Sequence, residues 1–313
     1  MRVVFMGTPQ FAVPCLESML TNPNAEIVGV YTQPDRVNRR GKKMSFSPVK
    51  ECALAHDLPL YQPATLRDAD AQKELQELAP ELLIVVAYGQ ILQAKVLEIP
   101  RLGAINVHAS LLPKYRGAAP IQYSLLNGDE TTGVTIMHLD EGMDTGDIIL
   151  QRSIDIPTDW EFNQLSGRLS TLGAKALQEV LADADTAISN ATQQAHDRAT
   201  YTGKIAKEWG RIHWSKNART IHNLVRALHA NPGTYTFFRE KRLKIHQTAL
   251  TKTHATLLPG ELLVDGTDIF VGTGEGSLQL LKVQPESKRN MQTAEFINGY
   301  QIKSGEVLGE QTD

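Results

Sequence analysis

At 313 residues, with 42% hydrophobic and 21% charged side chains and a formal charge of −3, the chain has room for two ordinary globular domains. No apolar run approaches the roughly 20 residues of a membrane span, and the opening run Met1 to Gly7 is too short for a signal peptide and reads as a first strand. Two cysteines, Cys15 and Cys52, exclude a disulfide framework and a cysteine-rich zinc site, so both are expected to be packing residues in a reducing cytoplasm.

The first half alternates short apolar runs with helical patterns, as βαβ units do. Strands are predicted at residues 3–6, 27–32, 82–87, 105–108 and 133–139. Residues 82–87 carry no polar side chain, as befits a central parallel strand buried on both faces. Helices are predicted at 11–20, 48–56, 69–78, 90–97 and 119–127. A long one follows at 161–183, with Leu165, Leu169, Leu172, Ala176 and Val180 on one stripe. Together these predict an α/β fold: a doubly wound, mostly parallel sheet with helices on both sides.

Residues 184–202 are small and polar and read as a linker. A helix at 218–229 then ends at Asn231-Pro232-Gly233, and β-like runs follow at 242–247, 260–264, 269–272 and 278–283. That pattern suits a small β-barrel. The expected layout is a first domain over 1–184, a linker over 185–207 and a barrel domain over 208–313.

Charge is unevenly distributed. Residues 1–200 hold 17 Lys/Arg against 24 Asp/Glu, whereas 201–313 hold 15 against 11. Ten basic residues fall within 204–244 with only two acids, and six more lie between Arg36 and Lys50 with none. Two basic patches on an acidic-to-neutral body suit a polyanion touched at particular places, or simply two solvated faces.

The chemistry concentrates between Asn106 and Asp147. Asn106 and His108 end a strand two residues apart, so they share a face at the carboxyl edge, where doubly wound sheets bind ligands. The acidic turn 140–147 follows the next strand and is expected at the same edge, placing Asp144 within reach of His108. An imidazole with a carboxylate beside it can relay a proton, and an amide can hydrogen-bond a developing oxyanion. No nucleophile with its own base is apparent, so the set fits direct attack of an amine on a carbonyl. By spacing alone, ordinary roles stay open: His108 as a structural histidine, Asp144 closing an Asx turn, Asn106 satisfying backbone groups.

Asn106-Val107-His108, the stretch Ser110-Leu111-Leu112-Pro113-Lys114-Tyr115-Arg116-Gly117 and Asp144-Thr145-Gly146 together resemble the signature of the 10-formyltetrahydrofolate-using formyltransferases. The resemblance implies a Rossmann-like catalytic domain followed by an OB-like barrel, with Asn106, His108 and Asp144 catalytic. It implies that Ser110, Leu111, Leu112 and Pro113 bind the folate. The pterin is implied to lie against Gly89, Ile91 and Leu92 and against the turn beginning at Asp140.

Further stretches resemble the branch of that family that formylates methionyl initiator tRNA: Phe5-Met6-Gly7-Thr8-Pro9-Gln10-Phe11-Ala12, Thr32-Gln33-Pro34-Asp35-Arg36, Ser47-Pro48-Val49-Lys50 and Gly117-Ala118-Ala119-Pro120-Ile121-Gln122. The basic loop with Arg36, Arg40, Lys42 and Lys43 matches the insertion that enters the tRNA acceptor end in that branch. Lys204, Lys207 and Arg211 are expected to add phosphate contacts. Arg226 to Pro232 resembles the family's helix end, departing from it at His229-Ala230. The resemblance implies a monomeric transferase of translation initiation, with 10-formyltetrahydrofolate as co-substrate and initiator methionyl-tRNA as partner.

Other signals are weaker. Gly7-Thr8-Pro9 lacks the spaced glycines of a dinucleotide site, so no NAD is expected. Gly272 to Gly276 reads as a hairpin turn. Gly41-Lys42-Lys43 is not a P-loop, and the nine histidines show no zinc spacing, so no metal is expected. Two rival readings use the same residues: a formyltransferase or hydrolase acting on a small amine or water, which would not need the basic patches, and a non-catalytic RNA-binding protein on the same fold.

Overall fold

The computed structural model describes residues 1–37, 44–251 and 257–309. It divides into two compact units, one of Met1–Gly117, Thr131–Asp155 and Ser166–Thr202, the other of Ala118–Glu130, Ile156–Leu165 and Gly203–Asp313.

In chain order the first unit carries β1 (Arg2–Gly7), α1 (Val13–Leu20), β2 (Glu26–Tyr31), the short ribbon β3 (Arg36–Val37) with β4 (Met44–Ser45), α2 (Pro48–Ala55), β5 (Leu60–Tyr61), α3 (Ala69–Glu77), β6 (Leu82–Val86), α4 (Ala94–Leu97), β7 (Ala104–His108) and β8 (Arg116–Gly117). After α5 (Pro120–Leu126), which belongs to the second unit, come β9 (Thr131–His138), β10 (Ile148–Asp155), α6 (Phe162–Ala182), α7 (Ala184–Ser189) and β11 (Tyr201–Thr202). Seven strands form one sheet in the order β10-β9-β7-β6-β1-β2-β5, parallel from β7 to β5 and antiparallel at β9 and β10. β6 is buried along its whole length, as its unbroken apolar run requires.

Local chemistry sets the helix starts. Ser47 caps α2, its hydroxyl accepting from the Lys50 amide with Pro48 behind it, and Asp68 caps α3 in the same way. The predicted helix at 90–97 shrinks to α4. Ala87 and Gly89 take φ of +49° and +87°, and Gln90 ties the loop to Leu66 and Pro63. β10 escaped prediction because it is an edge strand, half-buried or exposed throughout, with little alternation to read. Both cysteines are buried, and burial pushes the Cys15 thiol up to about 12 and the Cys52 thiol upward. Neither has the character of a reactive thiolate.

Residues 184–202, expected as a linker, are built onto the first unit. Asp183 caps α7, Thr192 pairs with Ile148, and β11 runs parallel to β8. Their small polar side chains serve a docked segment held by backbone bonds and side-chain amides, which composition does not separate from a free linker.

The second unit holds α8 (Ala218–Leu228), β12 (Thr234–Phe238), β13 (Lys241–Leu250), β14 (Leu262–Asp265), β15 (Asp268–Gly272), β16 (Ser277–Pro285), β17 (Met291–Gln292) and α9 (Thr293–Tyr300). Its antiparallel sheet runs β12-β13-β16-β15-β14, with β17 on β16, a small barrel-like domain. Trp214, Ile221, Val225, Ile245, Leu280 and Phe296 are among its core residues. The β12–β13 hairpin has no Asn-Gly signal because Arg239 and Glu240 themselves take positive φ, +46° and +62°. Gly272 to Gly276 is the β15–β16 turn. Arg226, counted in the basic stretch, is buried on α8, donating to Asn223 and the Pro157 carbonyl.

Candidate active site

β7 brings Asn106 and His108 to one face of the sheet, between β6 and β9. The register opposes Asn106 to Val85 and Met137, and His108 to Thr135. Because β9 runs antiparallel to β7, the acidic turn does not begin at the carboxyl edge. Leu139 donates to the Ala104 carbonyl, at the opposite end of β7 from His108. The turn then folds back, with Asp144 in the left-handed region at φ +53°. Its carboxylate Oδ2 lies 3.6 Å from His108 Nδ1 and accepts the Gly117 amide at 2.7 Å.

His108 is 6% exposed, and its Nε2 lies 2.9 Å from the Tyr115 carbonyl. A carbonyl only accepts, so Nε2 carries a hydrogen and Nδ1 is the nitrogen left facing Asp144. Asn106 is half-buried, and its amide makes no hydrogen bond among the described residues. It is therefore available to an incoming polar group. Gly117 is required by its surroundings: at φ +108°, an added Cβ would fall 2.3 Å from the Thr202 carbonyl oxygen.

The loop after β7 is pinned from β9 and β10. Thr135 donates to the Ser110 carbonyl and accepts the Leu112 amide. Gln151 bonds both Thr135 and the Leu112 carbonyl. Ser110 is fully buried and donates to the Lys114 carbonyl, while Leu112 is 3% exposed. Leu111 packs close to Gly133 of β9, and Pro113 is half-buried. Spacing along the chain did not single out Thr135 or Gln151. Thr135 lies on a strand that the sequence pattern predicts, whereas Gln151 lies on β10, which it does not.

Beyond β6, Ile91 is 79% exposed and Gly89 turns the chain at φ +87°. Leu92 is buried in a cluster that also takes Ala104 and Leu139, so the 87–92 loop and the start of the acidic turn share apolar packing. The Asp140 carboxylate accepts from the Gly142 amide and the Thr145 hydroxyl, closing the turn.

Arg36 starts β3 of the short ribbon; Arg40, Lys42 and Lys43 lie outside the described residues. Lys50 of the same basic patch is engaged with Asp35 at 2.5 Å. Hydrogen bonds from Gln62 and Lys50 hold the Asp35 carboxyl below its usual range. Lys204 and Lys207 are exposed and Arg211 half-buried. The outer face of β12–β13 gathers basic and aromatic side chains: Arg242 lies 3.7 Å over the Tyr235 ring, and Arg211 is 6.0 Å from Phe237. No helix among the described residues is long and apolar enough to cross a membrane, and no group of three or more His, Cys, Asp or Glu among them could hold a metal ion.

A family profile described as "Formyl transferase" matches residues 1–181, and one described as "Formyl transferase, C-terminal domain" matches 204–301. The chain is 42% identical over 311 residues to the methionyl-tRNA formyltransferase of Alkaliphilus oremlandii (strain OhILAs), covering 99% of this chain and 100% of that one. It is 43% identical over 309 residues to the protein of that name from Caldanaerobacter subterraneus subsp. tengcongensis, covering 98% and 100%. Among solved structures, WlaRD, a sugar 3N-formyl transferase, is 20% identical at a TM-score of 0.66, covering 92% of this chain and 99% of its own. HypX from Aquifex aeolicus, in complex with tetrahydrofolic acid, is 17% identical at a TM-score of 0.66, and this chain spans about half its length. At those identities the likeness to both structures is one of fold.

Proposed function

The chain belongs to the formyl transferase family, and we propose that it moves a formyl group from 10-formyltetrahydrofolate to the amino group of methionine on initiator tRNA. The observation that carries the chemistry is the pairing of His108 Nδ1 with the Asp144 carboxylate on the face that presents the unbonded Asn106 amide. The acceptor follows from whole-length identity of 42% to methionyl-tRNA formyltransferases.

In this reading the methionine nitrogen attacks the formyl carbon. A carbon–nitrogen bond forms and the carbonyl electron pair moves to oxygen, where Asn106 donates a hydrogen bond. His108 takes the proton that the amine loses, and the Asp144 carboxylate stabilises the resulting imidazolium. The tetrahedral species collapses: the carbonyl re-forms, the bond from the formyl carbon to the folate nitrogen breaks, and that nitrogen takes the proton held by His108, giving tetrahydrofolate and restoring the neutral imidazole. The folate is placed along the 110–113 loop, with its pterin between the 87–92 loop and the turn at 140–144. The enzyme is placed in the cytoplasm as a monomer, needing neither metal nor NAD.

The direct test supplies 10-formyltetrahydrofolate and methionyl initiator tRNA and follows formyl-methionyl-tRNA. No product from folded protein overturns the reading. Binding should weaken with salt in proportion to the phosphates neutralised. Alanine at Lys204, Lys207 or Arg211 should each reduce the salt slope by ~1 and weaken initiator and elongator tRNAs alike. Alanine at Arg40 should lower turnover on initiator tRNA more than it lowers general tRNA affinity. If Arg40→Ala weakens both tRNAs equally, the 36–43 loop is a phosphate clamp and not a selector.

The folate placement is tested at Ile91. Leu112 is a poor probe, since a carboxylate at a 3% exposed position also destabilises the fold. Ile91, at 79% exposure, tolerates Asp structurally. Ile91→Asp should raise the donor KM about tenfold, because it sets a charge against an apolar ring system worth ~1.5 kcal/mol or more of burial. Thermal stability and the tRNA KM should stay near the parent values. An unchanged donor response removes this loop from the folate site.

A further inference from the structure

We propose that Gln194 is a positioning residue for Asp144, an inference that rests on the reading of Asp144 as catalytic. Gln194 lies in the segment that composition reads as a linker, yet its side chain is 3% exposed. Its Nε2 donates to the carbonyls of Asp144 at 2.9 Å and Gly146 at 2.7 Å. Its Oε1 accepts from Arg116 Nε at 3.1 Å and Nη2 at 2.7 Å. The amide is thereby oriented at both ends, since a guanidinium only donates and a carbonyl only accepts.

The need for such a clamp is local. Asp144 takes φ +53°, a left-handed conformation that disfavours any residue carrying a Cβ. Without an external hold, residues 144–146 relax and the carboxylate leaves His108. Besides the Thr145–Asp140 bonds inside the turn, two holds reach these residues from outside it among the described residues. Gly117 grips the carboxylate through its amide, and Gln194 grips the backbone on both sides of Thr145. Both run back to β8, because Arg116 orders Gln194 and Gly117 follows Arg116 directly.

Arg116 is itself 1% exposed. Besides Gln194, its guanidinium meets His196 Nδ1 at 2.9 Å and the Tyr201 hydroxyl at 3.3 Å, all three supplied from residues 194–201. That segment is therefore part of the catalytic geometry, acting through Asp144.

The test uses full-length Gln194→Leu, Asp144→Asn and the double variant, assayed for formyl transfer well below each melting temperature. Gln194→Leu should lower kcat roughly 10–100-fold, the scale of misplacing a catalytic group by about 1 Å, with both KM values within about threefold of the parent. In the Asp144→Asn background the same change should cost little more, because its target is gone. A purely structural role predicts equal factors in both backgrounds, and that result overturns the proposal. So does a kcat within about threefold of the parent in folded Gln194→Leu. If Gln194→Leu does not fold, Gln194→Glu decides: it still accepts from Arg116 but cannot donate to the two carbonyls, and the same thresholds apply. If Asp144→Asn itself turns over normally, the catalytic assignment of Asp144 fails. If Asp144→Asn is crippled while the Gln194 variants are not, only the positioning role fails.

Discussion

His108→Ala and Asp144→Asn should each lower turnover by ~10²–10⁴-fold, the range typical of losing acid–base participation, while tRNA affinity stays near the parent value. The reason lies in how the imidazole is held. With its Nε2 hydrogen directed at the Tyr115 carbonyl, Nδ1 is the nitrogen that takes the proton of the attacking amine. Asp144, 3.6 Å away, is the carboxylate that faces the charge so formed. Asp144→Asn is the sharper of the two changes. Its amide oxygen can still accept from the Gly117 backbone, so the turn is retained while the negative charge is removed. Single-turnover formylation with saturating donor, alongside circular dichroism and tRNA binding, separates chemistry from folding and affinity. Near-normal turnover in a folded His108→Ala protein would sink the mechanism.

Asn106→Ala should lower kcat by ~10²–10³-fold, the cost of removing one oxyanion donor. The amide has no partner among the described residues, so deleting it leaves no protein group newly unsatisfied. Stability should shift little, and the loss should appear in kcat and not in KM. Asn106→Asp gives a second reading at nearly constant volume. It puts negative charge where the oxyanion develops and should be at least as damaging as alanine. A drop confined to KM, in either variant, would assign Asn106 to ground-state binding instead.

Much of this arrangement is legible along the chain because it is local. Strand residues two apart share a face, so Asn106 and His108 belong together whatever surrounds them. The unbroken apolar run at 82–87 signals a buried central strand, and the helical patterns at 48–56 and 69–78 mark α2 and α3. The β15–β16 turn follows from its glycines. Each of these readings depends on a few neighbouring residues and the backbone they share.

Other features depend on partners far away in the chain. The direction of β9 is set by which strand it pairs with. It places the acidic turn at the far end of β7 and leaves its return to His108 to the left-handed Asp144 and the Gly117 amide. Thr135 and Gln151 look like ordinary polar residues until the 110–113 loop lies against them. Arg226 counts as one more positive charge until α8 buries it. Gln194 sits in a polar stretch with every mark of a linker, and its bonds span 78 residues to Arg116 and 50 to Asp144. Periodicity and propensity are short-range properties of the chain, so they determine the elements and the faces they present. A buried amide or guanidinium takes its meaning from the donors and acceptors that folding brings to it, and only the tertiary structure decides that.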